Sequence, residues 1–143
     1  MFRKAVMGSM VVLAMLLTVP VFATPTPASH EASVYVISPS HGEVVTNPVT
    51  VRFGLKNMGV APAGVKRSDT GHHHLLIDVA GEPNLHDAVP KDEKHRHFGY
   101  GQTETTLTLT PGKHTLQLLL ADEKHIPHKP AVVSRKIVIY VTE

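Results

Sequence analysis

The sequence predicts an all-β protein, an immunoglobulin-like antiparallel β-sandwich of about six to eight strands. Three observations carry this expectation: apolar residues recur with a period of two in short runs, turn-forming residues separate those runs, and no stretch has a helical period. The clearest run is Val49 to Leu55, which places Val49, Val51, Phe53 and Leu55 on one face and Thr50, Arg52 and Gly54 on the other. A period of two is the mark of a half-buried strand.

The elements follow in order. Thr24 to Ser33, rich in Pro, Ala, Ser and Thr, reads as a flexible lead-in, and the domain proper runs over 34–143. Val34 to Ile37 is the first strand and ends at the turn Pro39-Ser40-His41-Gly42. Val49 to Leu55 is the second, His73 to Val79 the third, Glu104 to Leu109 the fourth, Thr115 to Ala121 the fifth and Val132 to Val141 the sixth. In sandwich lettering these are A, B, C, E, F and G, with room for an extra strand between Asp87 and Gly101. Pro111-Gly112 between the fourth and fifth reads as a tight turn, so these two are expected to pair as a hairpin. A small barrel is the competing architecture, because strand count does not separate the two.

The amino end has the layout of a cleavable signal peptide, residues 1–23: Arg3 and Lys4, an apolar run from Ala5 to Phe22, and the small-residue site Val21-Phe22-Ala23. Cleavage is expected after Ala23, giving an exported protein, periplasmic or secreted, with no membrane contact once the signal is removed. An uncleaved anchor is the competing reading, since roughly 18 to 20 apolar residues span a bilayer. Pro20 and the cleavage site favour removal.

With Arg3 and Lys4 removed, the 14 basic residues fall to parity with the 12 acidic ones, so there is no basic surplus to attract nucleic acid. The chain has no cysteine, which excludes thiolate chemistry and leaves apolar burial, or a bound metal, to hold an exported fold together. Histidine is the anomaly: the chain carries 11, all beyond the signal segment.

In a sandwich the B–C, D–E and F–G loops gather at one end, because alternate strands run in opposite directions. Gly71-His72-His73-His74 lies where the B–C loop enters strand C, His95 and His97 just before strand E, and His125 and His128 in the F–G loop. Seven of the 11 histidines are thus expected at one end. The spacing suits chelation, since side chains i and i+2 of an extended chain share a face. His72 with His74, and His95 with His97, can each present two imidazoles to one ion; solvated loop histidines are the bland alternative. His73 points the other way, with Leu75 and Ile77, and reads as a buried histidine holding a backbone carbonyl. His30, His41, His86 and His114 stand alone and read as surface residues.

The candidate metal ligands are therefore His72, His74, His95, His97, His125 and His128. Imidazole-rich sites without cysteine suit Cu(II), Zn(II) or Ni(II), with Cu(II) favoured on intrinsic affinity, whereas calcium and magnesium want oxygen. Glu104 and Asp122, near strand ends at the histidine end, are candidates to orient imidazoles from outside the coordination shell, together with His73. Met58 could offer a sulfur to Cu(I), but a single methionine is more often a packing residue. No catalytic motif is present: there is no G-x-S-x-G and no H-E-x-x-H.

The segments "NMGVAPAGV", "TGHHHLLID", "HFGYGQTETTLTLTPGKHTLQLLLAD" and "HIPHKP", in that order, resemble the bacterial family of exported domains described as domain of unknown function 4399. The resemblance spans Val34 to Val141, with G-H-H-H at Gly71 to His74, H-x-H-F-G at His95 to Gly99 and H-x-P-H at His125 to His128. It implies an exported domain and carries no activity. A looser likeness links a sandwich bearing histidines at one end to small periplasmic copper carriers, by analogy alone. Three functions are compatible with the sequence. The leading one is a periplasmic histidine-rich protein that binds, stores or delivers copper or zinc, with the metal ion and another envelope protein as partners. The second is a non-catalytic envelope interaction module whose histidines respond to pH. The third, a copper or zinc enzyme, lacks a recognisable general base beyond Glu104.

Overall fold

The computed structural model describes residues 24–143; residues 1–23, read from the sequence as a signal peptide, lie outside the described residues. Among the described residues there are nine strands and no helix: β1 (Ser33–Ser38), β2 (Val44–Thr46), β3 (Val49–Lys56), β4 (Gly59–Val60), β5 (Thr70–Ile77), β6 (His95–His97), β7 (Glu104–Leu107), β8 (Gly112–Ala121) and β9 (Ile137–Thr142). No helix in this region is long and apolar enough to cross a membrane.

Two sheets form a β-sandwich. The smaller has the order β1-β3-β7, all antiparallel. The larger has the order β2-β9-β8-β5-β4, with β6 also paired to β5. Thus β5 meets β8 along one edge, while its other edge is shared between β4 at Thr70–Gly71 and β6 at His74–Leu76. This arrangement matches the A, B, C, E, F, G lettering read from the sequence, with β1, β3 and β7 as A, B and E and β5, β8 and β9 as C, F and G.

The core lies between the sheets. Val51, Phe53, Leu116, Leu118 and Ile139 are all buried there, as the alternation predicts. They are joined by Val34, Leu75, Ile77, Phe98, Leu107 and Leu120, and Met58 packs against this cluster as a core residue. A second, smaller cluster of Leu76, Val89, Leu119 and Ala121 lies on the outer face of the larger sheet, with Val79, Leu85 and Val133 packed on it. The long connection between β5 and β6 therefore covers part of that outer face. Both faces of β5 are covered, which explains why Gly71–Ile77 is buried without interruption and shows no polar alternation.

The expected hairpin is a correction. β7 pairs with β3, whereas β8 pairs with β5 and β9, so Pro111-Gly112 carries the chain from one sheet to the other. Asn47 determines where β7 stops: its side chain donates to the Leu109 carbonyl at 2.7 Å and accepts from the Leu109 amide at 3.0 Å. The backbone beyond Leu107 is thereby satisfied from 62 residues away rather than by β8.

The segment read as a flexible lead-in is in contact with the domain. Pro27 bridges Lys129, the Ala28 amide donates to the Lys129 carbonyl, and the Thr26 hydroxyl donates to Asp122.

Candidate metal centre

The site is built on β5. His72 and His74 project from the outer face of the larger sheet, on the same side as Leu76, while His73 projects inward with Leu75 and Ile77. In the β5–β8 register His72 lies opposite Ala121 and His74 opposite Leu119. Opposed residues of an antiparallel pair share a face, so the small Ala121 leaves space above β8 beside His72. His125, on the loop that follows β8, reaches His72, with its Nδ1 3.0 Å from His72 Nε2. His97 arrives from the other edge, because β6 pairs His97 directly with His74.

The result is a cluster of four imidazoles. His72, His74, His97 and His125 each offer one ring nitrogen, and the four atoms lie within 4.8 Å of one another. His72 Nε2 is 3.0 Å from His74 Nε2 and 3.0 Å from His125 Nδ1. Ring centroids are 4.7 Å apart for His97 and His125, 4.8 Å for His72 and His74, and 5.8 Å for His74 and His125. A tetrahedron of nitrogens around Zn(II) at about 2.0–2.1 Å has edges of roughly 3.3 Å. The observed spacings come within a small rotamer adjustment of that. His72 and His74 are buried, and His97 and His125 are partly exposed, so the cluster has a floor on β5 and a more open side made by the short strand β6 and the loop after β8.

The electrostatics suit ligands. Burial first, then the neighbouring His125 and His97, lower the His72 pKa to about 4. Burial first, then His72, His97 and His125, lower His74 to about 2. His97 is lowered by burial, His125 and Lys91. No carboxylate pairs with any of the four rings, so at neutral pH His72, His74 and His97 are uncharged and hold lone pairs. Their own protons do not satisfy the cluster. One ring nitrogen carries either one proton or one lone pair, so His72 Nε2 cannot serve both of its 3.0 Å contacts. A cation at the centre would resolve that conflict by taking a lone pair from each ring. Nδ1 of His72 and of His74 is buried without a partner, so packing rather than a hydrogen-bonded carbonyl orients these rings.

The other sequence candidates fall elsewhere. His95 lies opposite Leu76, one strand step from His97, and its Nδ1 contacts Asp92 Oδ1 at 2.8 Å instead of the cluster. His128 is buried beside Gly71 on the inward side, where a Cβ on Gly71 would come within 2.8 Å of His128 Nε2. Its Nδ1 lies 3.3 Å from the Thr26 carbonyl. Glu104, on β7 of the smaller sheet, pairs with Arg52 at 3.2 Å and is 61% exposed, far from orienting an imidazole. Asp122 is buried and organises the loop that carries His125, through backbone amides rather than through a ring. His73 packs 5.2 Å from the Phe53 ring; neither ring nitrogen has a partner in strict hydrogen-bond geometry, and the backbone of Gln102 is the polar group beside it. Burial lowers its pKa to about 4, with the Gln102 backbone opposing.

His114 corrects a second expectation. It is buried rather than at the surface, with Nδ1 2.7 Å from Asp78 Oδ2 and Nε2 2.7 Å from the Thr110 carbonyl. Its partner Asp78 follows β5 directly, where the positive φ of 53° ends the strand. Neither residue had a local sequence signal, since 36 positions separate them. His30, His41 and His86 are exposed.

Fold and site together define a small antiparallel β-sandwich with a four-imidazole candidate metal centre on the outer face of its larger sheet. The chain belongs to the family described as domain of unknown function (DUF4399), whose model matches residues 51–142. That span runs from within β3 to the end of β9 and includes all four clustered histidines. No curated protein and no solved structure matches the chain.

Proposed function

We propose that this is an exported metal-binding protein that holds one Cu(II) or Zn(II) ion through His72, His74, His97 and His125, and that it stores or delivers that ion in the periplasm. The observation that carries the reading is the convergence of four ring nitrogens within 4.8 Å from three separate segments of chain. Surface histidines that merely confer solubility have no reason to bury two of their number against each other, since buried polar groups without partners are destabilising. All-nitrogen donors fit Cu(II) and Zn(II). Four protein ligands fill a tetrahedral shell, whereas catalytic zinc keeps three and an open position, which favours holding over catalysis. Export rests on the amino-terminal pattern of Arg3, Lys4, the apolar run and Val21-Phe22-Ala23. Delivery calls for a second envelope protein that gives or receives the ion.

The test is elemental analysis of untagged protein isolated from the periplasm, together with metal titration of the chelator-treated chain. One equivalent of copper or zinc, lost when His72 and His74 are replaced, is expected. Protein that arrives without metal and takes up neither ion at neutral pH overturns the reading.

A further inference from the structure

Resting on that metal-binding reading, we infer that the segment Thr26–Ala28 is a clasp that holds the His125 loop in its ligating shape. In this arrangement Asp122 is the positioning residue and Thr26 the residue that secures it. The cluster's grip on metal then depends on a hydroxyl 96 positions away from Asp122 in sequence.

The loop from Asp122 to Ile126 is organised around one carboxylate. Asp122 is 3% exposed. Its Oδ1 accepts the amides of Lys124 at 2.9 Å and Ile126 at 3.0 Å, and its Oδ2 accepts the Thr26 hydroxyl at 2.6 Å. Its backbone adds two more bonds, from the His125 amide to the Asp122 carbonyl at 3.0 Å and from the Asp122 amide to the Ile126 carbonyl at 2.9 Å. Within this frame His125 has φ of 66°, in the left-handed region that a non-glycine residue occupies only when its surroundings over-determine it. The His125 carbonyl accepts the Val89 amide at 2.9 Å, which fixes the loop against the long β5–β6 connection.

Thr26 grips both ends of this segment. Its hydroxyl holds Asp122, while its carbonyl accepts the Lys129 amide at 3.1 Å and faces His128 Nδ1 at 3.3 Å. Ala28 returns a bond to the Lys129 carbonyl at 3.3 Å, and Pro27 bridges Lys129 as in a parallel ladder. His128 on this account belongs to the clasp rather than to the coordination shell. His72 and His74 need no such device, because a paired strand already fixes them. His125 sits on a loop, and a ligand on a loop binds well only when the ordering of that loop is achieved before the ion arrives.

The experiment measures Zn(II) affinity by competition with a chromophoric chelator, for the full chain and for Thr26→Val, Asp122→Ala and Asp122→Asn. Amide hydrogen exchange is followed on the metal-free proteins. Asp122→Ala should weaken Zn(II) binding by roughly 10- to 100-fold, the usual effect of removing a group that orients a metal ligand. Thr26→Val, which keeps the shape and removes the hydroxyl, should weaken it by roughly threefold to tenfold on the same ground. Asp122→Asn should recover most of the affinity, since its Oδ1 still accepts both loop amides. In Thr26→Val the amides of His125 and Ile126 should lose protection while those of β5 do not. A purely structural role would lower the unfolding temperature and leave the affinity of the folded protein unchanged. Wild-type affinity in both Thr26→Val and Asp122→Ala overturns the clasp. Failure of the wild type itself to bind Zn(II), and Cu(II) in the same competition, overturns the metal reading instead; unchanged exchange at His125 and Ile126 in Thr26→Val then overturns the clasp as well.

Discussion

Two buried histidine environments lie on the same pair of strands and have opposite chemistry. At one end of β5 and β8, His72 and His74 meet His97 and His125 with no carboxylate in contact, and burial drives the protons off. At the other end His114 is also buried, yet Asp78 at 2.7 Å and the Thr110 carbonyl outweigh that burial and raise its pKa. The residue type is the same; the neighbour decides. Imidazoles facing each other compete with a proton and welcome a metal, whereas an imidazole facing a carboxylate holds its proton and forms an ion pair.

The largest expected effect is the loss of stability in acid. His72 and His73 have pKa values near 4 in the folded chain and His74 near 2, against about 6.5 when unfolded. Between pH 6.5 and 4 the unfolded chain binds protons that the folded chain refuses, so stability is full above 6.5 and falls as the pH drops. The slope is about 1.4 kcal/mol per pH unit for each unbalanced proton. Urea denaturation of the chelator-treated protein across this range should show it, and His73→Leu should make it shallower by about one proton. A flat profile would mean that the three histidines are not buried in solution.

Metal comes next. At a hundredfold excess over the dissociation constant, Zn(II) or Cu(II) should stabilise the fold by about 2.7 kcal/mol, read as a rise in calorimetric unfolding temperature. Replacing His72 and His74 together by Ala should remove that increment. Both rings are buried, so the metal-free protein will lose stability too, and the increment rather than the absolute temperature is the measure. Affinity should hold through pH 6 and decline as the pH drops toward about 4, where a proton begins to compete for His72.

Ala121→Leu sharpens the comparison without touching a ligand. The larger side chain would project beside His72, which lies opposite position 121 in the β5–β8 register, and crowd the cluster there. It should abolish the metal increment and destabilise by about 1–3 kcal/mol through overpacking. Retained metal binding would show that His125 reaches the site by another path.

His114→Gln is a smaller effect of opposite sign in pH. A raised folded pKa contributes stability that is present below the unfolded pKa near 6.5 and is lost as pH rises through the folded value. The substitution should cost about 1 kcal/mol at pH 5, discounted because Asp78 is partly exposed. By pH 8.5 the difference should be small, with no change in metal affinity at any pH. His41→Ala, at an exposed ring that accepts the Val138 amide, should leave metal binding untouched and change stability by less than about 1 kcal/mol.

Much of the sandwich could be read from the chain, because a strand announces itself over a few residues. The alternation in Val49–Leu55 and the apolar Leu116, Leu118 and Leu120 are local facts, and so is the shared face of His72 and His74. The expectation that His97 and His125 meet rested on loops gathering at one end of a sandwich, with no register to say how. They meet because β6 and β8 each pair with β5. A Pro-Gly pair between two β runs looks the same whether it closes a hairpin or crosses between sheets, and here the choice rests with Asn47, far away in sequence.

By itself, then, the sequence determined the strands, their inward faces and the abundance of imidazole, since these depend on residues within a few positions of one another. Only the tertiary structure decided which histidines converge. His95 and His97 are equivalent in spacing, and so are His125 and His128; the β5–β6 register selects His97, and the Asp122 loop selects His125. The same holds for His114, whose partner lies 36 positions away. Pattern along a chain records which way a side chain points, but what it meets there is set by register and loop closure between distant segments.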